Sequence, residues 1–152
     1  MFEFQHIIQV NNPQDPQLLV LDRSQLWQGL ILRARHPERF NDSLQCRCSD
    51  LLDHQFIRHV SAGGTHFKEQ VTLTPESKIH TRTLPDVEQL FAESTALIEE
   101  PELNALFVRF SYRRELASDE QQLQITEYLK SAYVQLDRDA VAMIRMLAKS
   151  EL

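Results

Sequence analysis

Two residues of opposite charge, Arg58 and Glu69, stand in stretches of the chain that otherwise alternate between apolar and polar residues. Such alternation predicts half-buried β-strands. Gly63-Gly64 lies between the two stretches and supplies the positive φ angles that a tight two-residue turn requires. A hairpin folded there places Arg58 opposite Glu69, on a face that also carries Phe56, Val60, Phe67 and Val71. Because this apolar face should look towards the interior, the charged pair is predicted to point inwards.

An inward-pointing ion pair requires something to offset the cost of removing two charges from water. Even a paired buried charge can be less favourable than an apolar replacement, whereas a water-containing cavity leaves the charges part of their solvation. We therefore expect a hollow interior in which Arg58 anchors a carboxylate, phenol or keto oxygen of a ligand and Glu69 holds the guanidinium in place. The alternative is a structural cross-strand pair near the sheet rim, contributing about 0.2 to 1 kcal/mol.

Four further side chains are candidates for the same ligand-binding site. His6 lies on the apolar side of an alternating N-terminal stretch, as either a hydrogen-bonded core histidine or a polar group of the pocket. Phe110 and Tyr112 share one face of a later predicted strand, and Tyr133 lies on a predicted helix. Aromatic residues at such positions more often pack in the core, so packing is the alternative to ligand contact.

The two cysteines, Cys46 and Cys48, form a C-x-C pair. On a strand they point to the same side, about 6.5 to 7 Å apart along the chain, which is a poor arrangement for a disulfide. A lone C-x-C is also a poor metal site, and the histidines are scattered. We expect two small, buried or half-buried side chains, and we predict neither a metal nor a cofactor.

Length, composition and charge bound the class of protein. The 152 residues, of which 42% are apolar, suit one domain over 1–152 with one core. The net charge of −6 repels phosphate backbones and so argues against nucleic acid or an anionic membrane as a partner. The N-terminus lacks the features of a secretory signal, and no apolar run reaches the roughly 18 residues that span a bilayer. We expect a cytoplasmic protein without membrane insertion.

The elements that position the candidate residues follow from periodicity. Residues 2–10 alternate as a strand. Asp22 and Gln25 form a capping box that opens a helix over 23–35, and Pro37 starts a second, short helix. The period then changes to two, which predicts six strands separated by turns such as Pro85-Asp86, over 44–51, 54–61, 65–73, 78–84, 90–98 and 103–112.

A long helix is predicted to follow, opened by Ser118 with Gln121 as its capping-box partner. Apolar residues then recur at spacings of three and four, at Ile125, Leu129, Ala132, Leu136, Ala140, Met143 and Leu147. The resulting stripe is about 45 Å long, enough to cover one face of a curved antiparallel sheet. Self-association of this helix into a homodimer stays open.

The order strand, two helices, six strands, long helix resembles the helix-grip fold of the START and birch-pollen-allergen-like superfamily, also called SRPBCC. Four segments of the sequence resemble the small AtaL-like family within this superfamily, whose function is uncharacterised. They are FEFQHIIQVNNP, SQLWQGLILRARHPERF, AGGTHFKEQVTL and LIEEPELNALFVRFSYR. The resemblance covers nearly the whole chain. It implies an α+β fold with a seven-stranded curved antiparallel sheet around the C-terminal helix, and an apolar ligand held between them.

Three functions remain open at this point. The first is a carrier or sensor that binds a small hydrophobic or aromatic molecule. The second, implied by the resemblance to polyketide cyclases and aromatases, is an enzyme in which Glu69 is the general base and Arg58 stabilises an enolate oxygen. The third is a structural or partner-binding protein with a filled core. Fold alone does not decide among them.

Overall fold

A computed structural model describes residues 1–85, 89–121 and 123–150. Within these residues the chain forms seven strands, two α-helices and two 3-10 turns. The bounds in chain order are β1 (Phe2–Gln9), α1 (Arg23–Arg35), a 3-10 turn (Pro37–Arg39), β2 (Leu44–Leu52), β3 (Gln55–Ala62), β4 (Thr65–Thr74), β5 (Lys78–Thr83), β6 (Ala92–Glu99), β7 (Phe107–Arg114), a second 3-10 turn (Ser118–Glu120) and α2 (Leu123–Ser150).

The seven strands form one sheet in the order β1-β7-β6-β5-β4-β3-β2, and every neighbouring pair is antiparallel. The strands β1 and β2 are therefore the two edges, and the segment containing α1 crosses from one edge to the other. Helix α1 packs against α2, β2 and β5, and α2 packs against α1 and β1. This is the predicted α+β helix-grip arrangement, with two short helical segments after the first strand.

The hairpin of β3 and β4 has the register that the sequence predicted. Arg58 pairs with Glu69, Val60 with Phe67 and Phe56 with Val71. Only the first of the two turn glycines has a positive φ, of 61° at Gly63, so one left-handed residue is enough for this turn. The predicted turn at Pro85-Asp86 cannot be followed to its end, since Asp86 lies outside the described residues.

Helix α1 begins with the predicted capping box. The Asp22 side chain accepts from the Gln25 amide at 2.7 Å, and the Gln25 side chain accepts from the Asp22 amide at 2.9 Å. Its buried face holds Gly29, where an added Cβ would lie 2.4 Å from Cγ2 of Ile144 on α2. The two helices are therefore in contact at a point that only a glycine fits.

Three predicted element starts were wrong by two or more residues. Helix α2 begins at Leu123, because Ser118–Glu120 forms a 3-10 turn in which the Glu120 side chain accepts from the Ala117 amide. Strand β7 begins at Phe107 and not at 103, because Asn104 has a φ of 66°, which interrupts an extended chain. Strand β6 begins at Ala92 rather than 90.

The buried face of α2 also differs from the predicted stripe. Leu136, a member of that stripe, is 47% exposed. The face that packs inwards is rotated by about one residue, and its fully or nearly buried members are Asp137, Ala140, Val141, Ile144 and Ala148. A carboxylate therefore lies on the apolar face of the long helix.

Candidate functional site

A cavity of about 290 Å³ lies between the inner face of the sheet, α1, the segment after it and α2. Its apolar wall includes Leu30, Ala34, Ile79, Ala96 and Phe110. Its polar lining includes Arg33, Arg58, Thr81, Tyr112 and Tyr133. Its lining also includes two exposed residues of α2, Leu136 and Asp139. This composition, mostly apolar with a few convergent polar groups, is typical of a small-molecule site.

Asp137 is the centre of a polar cluster at this cavity. Its carboxylate accepts from the Tyr112 hydroxyl at 2.5 Å and from Nη1 of Arg33 at 2.9 Å, and it lies 2.7 Å from Nε2 of His6. The four residues come from β1, α1, β7 and α2. The cluster therefore joins both helices to the edge of the sheet. Two of its members, Arg33 and Tyr112, line the cavity.

The electrostatics of the cluster follow from burial. Asp137 is completely buried. Removing its carboxylate charge from water would cost much free energy if the carboxylate had no partners. The Arg33 guanidinium offsets its charge, and three hydrogen-bonded contacts occupy its oxygens. Burial, together with the neighbouring Asp137 charge, raises the pKa of Tyr112 well above its usual range. Tyr112 therefore stays protonated and donates its hydrogen bond to Asp137.

Aromatic rings surround the cluster. The His6 ring stacks between Phe4 and Phe110, with centroid separations of 5.5 and 5.4 Å. The Tyr112 and Tyr133 rings stack at 4.0 Å, close enough to fix both orientations. These contacts hold the Tyr112 hydroxyl and the His6 ring in single positions relative to Asp137.

The Arg58 and Glu69 pair forms as predicted, with 3.0 Å between Nε and Oε1 and 17% exposure of each side chain. Arg58 also donates from Nη1 to the carbonyl of Ala34 at 2.9 Å. This carbonyl belongs to the last turn of α1 and has no partner within the helix. Arg58 therefore lines the cavity and satisfies the end of α1 at the same time.

The other sequence-predicted residues divide into two groups. Phe110, Tyr112 and Tyr133 line the cavity with Arg58, and His6 reaches it through the Asp137 cluster. Glu69 lines a smaller space of about 170 Å³, whose wall shares Thr81, Tyr112 and Tyr133 with the cavity. The structure does not bring the remaining predicted residues to the cavity: Phe56, Val60 and Val71 are buried in the core, and Phe67 is 41% exposed near the hairpin tip.

Sequence reasoning missed Arg33 and Asp137. A signal for Asp137 existed, because it lies four residues after Tyr133, three before Ala140 and four before Val141. Those spacings place a carboxylate on the same helical face as apolar residues. For Arg33, which lies near the C-terminal end of α1, the sequence offers no comparable signal.

The two cysteines are free, and Cys46 is half-buried as expected, whereas the expectation was wrong for Cys48, which is exposed on the edge strand β2. Burial, together with the neighbouring Cys48 thiol, raises the pKa of Cys46 to about 12, so that thiol is protonated at neutral pH. Among the described residues, no group of three or more His, Cys, Asp and Glu side chains has an arrangement that could hold a metal ion. In the same part of the chain, no helix has the length and apolarity that a bilayer crossing requires.

Solved structures with the same fold include aromatase/cyclases and Ara h 8.0201. The di-domain ARO/CYC StfQ from the steffimycin biosynthetic pathway matches with a TM-score of 0.73 at 8% identity, over 98% of this chain and 51% of that one. The Zhui aromatase/cyclase from Streptomyces sp. R1128 matches with a TM-score of 0.61 at 11% identity, over 97% and 93% of the two chains. Ara h 8.0201 matches with a TM-score of 0.63 at 7% identity, over 94% and 97%.

The chain spans about half the length of the di-domain proteins BexL and StfQ, at 48% and 51%. At these identities the similarity shows the fold alone. No curated protein matches the chain significantly in sequence. A family model, described as acetylaranotin biosynthesis cluster protein L, matches residues 8–151. This match covers nearly the whole sequence, and the helix-grip fold of the chain agrees with it. The chain therefore belongs to the AtaL family.

Proposed function

We propose that this protein binds a small, mainly apolar molecule bearing oxygen substituents, in the cavity between the sheet and the two helices. The observation that carries the proposal is a cavity of about 290 Å³ in which apolar walls meet two separate polar groups. One is Arg58, and the other is the pair Arg33 and Tyr112 in front of Asp137. Both groups line the cavity in addition to the contacts that they make within the protein.

The two polar groups support a ligand with oxygens in more than one place. Arg58 and Arg33 each use some of their guanidinium N–H donors in hydrogen bonds within the protein. Each guanidinium has further N–H donors that can bind a ligand oxygen. Stacked aromatic rings at Phe110, Tyr112 and Tyr133 offer flat apolar surface nearby. A planar or aromatic molecule carrying phenol, keto or carboxylate oxygens fits this chemistry.

A cavity-filling substitution tests the proposal. Ala96 points into the cavity from β6, and Leu97 points to the other side of the same strand. The variant Ala96→Phe should lose the fluorescence enhancement that the probe anilinonaphthalene sulfonate gives with the wild type, while Leu97→Phe retains it. Circular dichroism establishes that both variants fold. Equal dye binding by folded Ala96→Phe would show that the cavity is not the binding site.

A second candidate is an enzyme that performs acid–base chemistry on the bound molecule. The observation in its favour is the Asp137 cluster, which holds a protonated Tyr112 hydroxyl at the cavity wall. Such a hydroxyl, or the Glu69 carboxylate nearby, could exchange a proton with a carbonyl-containing ligand whose oxygen an arginine stabilises. Structural neighbours of this fold include the Zhui aromatase/cyclase and a Thalictrum flavum norcoclaurine synthase.

Turnover separates the two candidates. The molecule that copurifies with the protein would be identified, and its ketone-containing precursors offered to the wild type, Tyr112→Phe and Glu69→Gln. An enzyme predicts product from the wild type and loss of product, with binding retained, in one of the two variants. No product with any precursor, at saturating binding, assigns the protein to the carrier class.

A further inference from the structure

The arginines that line the ligand cavity each have a carboxylate partner. Arg33 and Arg58 belong to the cavity lining, and Nη1 of Arg33 lies 2.9 Å from the Asp137 carboxylate. Nε of Arg58 lies 3.0 Å from the Glu69 carboxylate, and each of these two side chains is 17% exposed. The positive charge that each arginine brings to the cavity is therefore balanced within the protein before any ligand binds.

The smaller space beside the cavity has the same property. Its wall includes Arg113 and Arg114. Nε of Arg113 lies 3.4 Å from the Glu3 carboxylate, and Nη2 of Arg114 donates to both carboxylate oxygens of Glu120 at 3.0 Å. A ligand that extends from the cavity into this space would again meet arginines whose charge is already balanced.

The other charges near the site do not favour an anion either. Asp139 also lines the cavity, and its charge is negative. Residues 86–88, 122, 151 and 152, which lie outside the described part of the chain, include no Lys, Arg or His, so none of them can bring a positive charge to the site. The chain as a whole carries a net charge of −6, whose field opposes the entry of anions.

A ligand carboxylate would add a third charge beside one of these ion pairs. Its attraction to the guanidinium would be opposed by repulsion from the protein carboxylate on the same guanidinium, and the ligand charge would lose water. In Arg58, Nε already donates to Glu69 and Nη1 to the Ala34 carbonyl, so the fork that holds a carboxylate by two parallel bonds is largely in use. A neutral carbonyl or phenol oxygen needs only one N–H donor and adds no charge.

We propose that the site selects neutral ligands, namely aromatic ketones, quinones and phenols, over ionised carboxylic acids. This inference rests on the proposed function and narrows it, because it removes the carboxylate from the oxygen groups that suit the cavity. The observation that carries it is the pairing of every arginine in the described lining with a carboxylate of the protein.

Two probes of nearly the same shape test this selectivity. Acetonaphthone carries a neutral methyl ketone, and naphthoate carries a carboxylate on the same ring carbon. Isothermal titration calorimetry with the full chain at neutral pH should show that the wild type binds the ketone at least about tenfold more tightly, because the carboxylate must lose water beside an ion pair. Both probes are smaller than anilinonaphthalene sulfonate, whose sulfonate can remain in water while its rings occupy the cavity, so that dye does not measure this preference.

A variant that frees one guanidinium charge should shift the preference. Glu69→Gln keeps the size of the side chain and removes its charge, so the ratio of the two affinities should move by about tenfold towards naphthoate. The matched control is Glu99→Gln, which leaves Arg109 without its partner at 2.9 Å on the outer face of the sheet and changes the net charge by the same amount. The control should show the affinity ratio of the wild type, and circular dichroism establishes that both variants fold.

The outcomes separate this inference from the proposed function. Equal or tighter binding of naphthoate by the wild type, or an unchanged ratio in folded Glu69→Gln, overturns the charge selectivity and leaves ligand binding in the cavity intact. An equal shift in Glu99→Gln also overturns the selectivity, because the effect would then come from net charge alone. Binding of neither probe by the wild type overturns the selectivity together with the proposed binding of apolar molecules that bear oxygen substituents.

Discussion

The hydroxyl of Tyr112 on β7 donates a 2.5 Å hydrogen bond to the carboxylate of Asp137 on α2. This bond ties the long helix to the sheet at the wall of the cavity, at a carboxylate that is fully buried. It gives the interior of the protein a fixed polar group where a helix-grip sheet and helix would otherwise meet through apolar side chains alone.

The charge of Asp137 should be essential for stability. The variant Asp137→Asn leaves the half-buried Arg33 without its partner and alters the contact with His6. Removing one member of a buried pair costs about 3–5 kcal/mol, and the partial exposure of Arg33 places this site towards the lower end. Urea unfolding measures the change, with the exposed Asp139→Asn as control. A loss equal to that of the control would contradict a stabilising role for the cluster.

The protein should lose stability in alkaline solution through Tyr112. Its pKa is raised in the folded state above the ordinary value of 10.0, because of burial and of the nearby Asp137 charge. The stabilisation from this group is therefore fully present below that ordinary value, and it is lost as pH rises through the higher pKa of the folded state, since only the unfolded chain releases the proton readily.

Tyrosinate absorbance checks this directly. Tyr112, one of three tyrosines in the chain, should remain un-ionised in the native protein until it unfolds, and Tyr112→Phe should reduce the tyrosinate absorbance that appears on unfolding by one residue. The variant should also show a shallower decline of unfolding free energy above pH 10.0. Ordinary titration of all three tyrosines in the native protein would refute the assignment.

The contact between α1 and α2 should tolerate no side chain at Gly29. An added Cβ meets three atoms of Ile144 at 3.0 Å or closer. Overpacking of this kind costs about 1–3 kcal/mol, so Gly29→Ala should lower the midpoint of thermal unfolding. Gly64→Ala is the matched control, because nothing lies within 4 Å of its added Cβ and its φ is not positive. Equal midpoints of thermal unfolding for the two variants would contradict the close contact between α1 and α2 at Gly29.

The Arg58 and Glu69 pair should show strong coupling in a double-mutant cycle. Arg58→Leu leaves the Glu69 carboxylate and the Ala34 carbonyl without a donor, at a cost of about 1–3 kcal/mol. The double variant Arg58→Leu/Glu69→Leu should therefore lose less than the sum of the single variants. Additive losses would mean that the pair contributes no interaction energy.

Binding by the same variants separates structure from function. Glu69→Leu retains the Arg58 bond to Ala34 and the cavity lining, so it should bind dye and ligand with little change if Arg58 is the ligand anchor. Folded Arg58→Leu should bind more weakly. Unchanged binding by folded Arg58→Leu would restrict Arg58 to the structural role at the end of α1.

The features set by local rules were predictable from the sequence. Alternation and a glycine turn determined the register that brings Arg58 opposite Glu69, and the Asp22–Gln25 capping box determined the start of α1. Helix-grip topology was predicted by resemblance and is confirmed. Association into a homodimer stays a prediction.

The Asp137 cluster was not predictable by the same rules. A buried helix face that is predicted from apolar residues alone places every carboxylate on the solvent side. For α2 this rule put Leu136 on the predicted buried face and Asp137 outside it, whereas Asp137 is buried and Leu136 is exposed. The carboxylate is tolerated inside only because Arg33, His6 and Tyr112 converge on it from three other elements. Convergence of that kind is a property of the tertiary fold and not of any single segment.

The central claim is that the cavity holds a small molecule, and native mass spectrometry of the protein purified from its own host tests it most directly. The wild type should carry a stoichiometric small molecule that denaturing extraction releases, and Ala96→Phe, prepared in parallel, should carry much less of it. An apo mass for the wild type, together with no uptake of anilinonaphthalene sulfonate, would contradict the claim. The Arg58–Glu69 pair and the Asp137 cluster would then be structural supports of a filled interior.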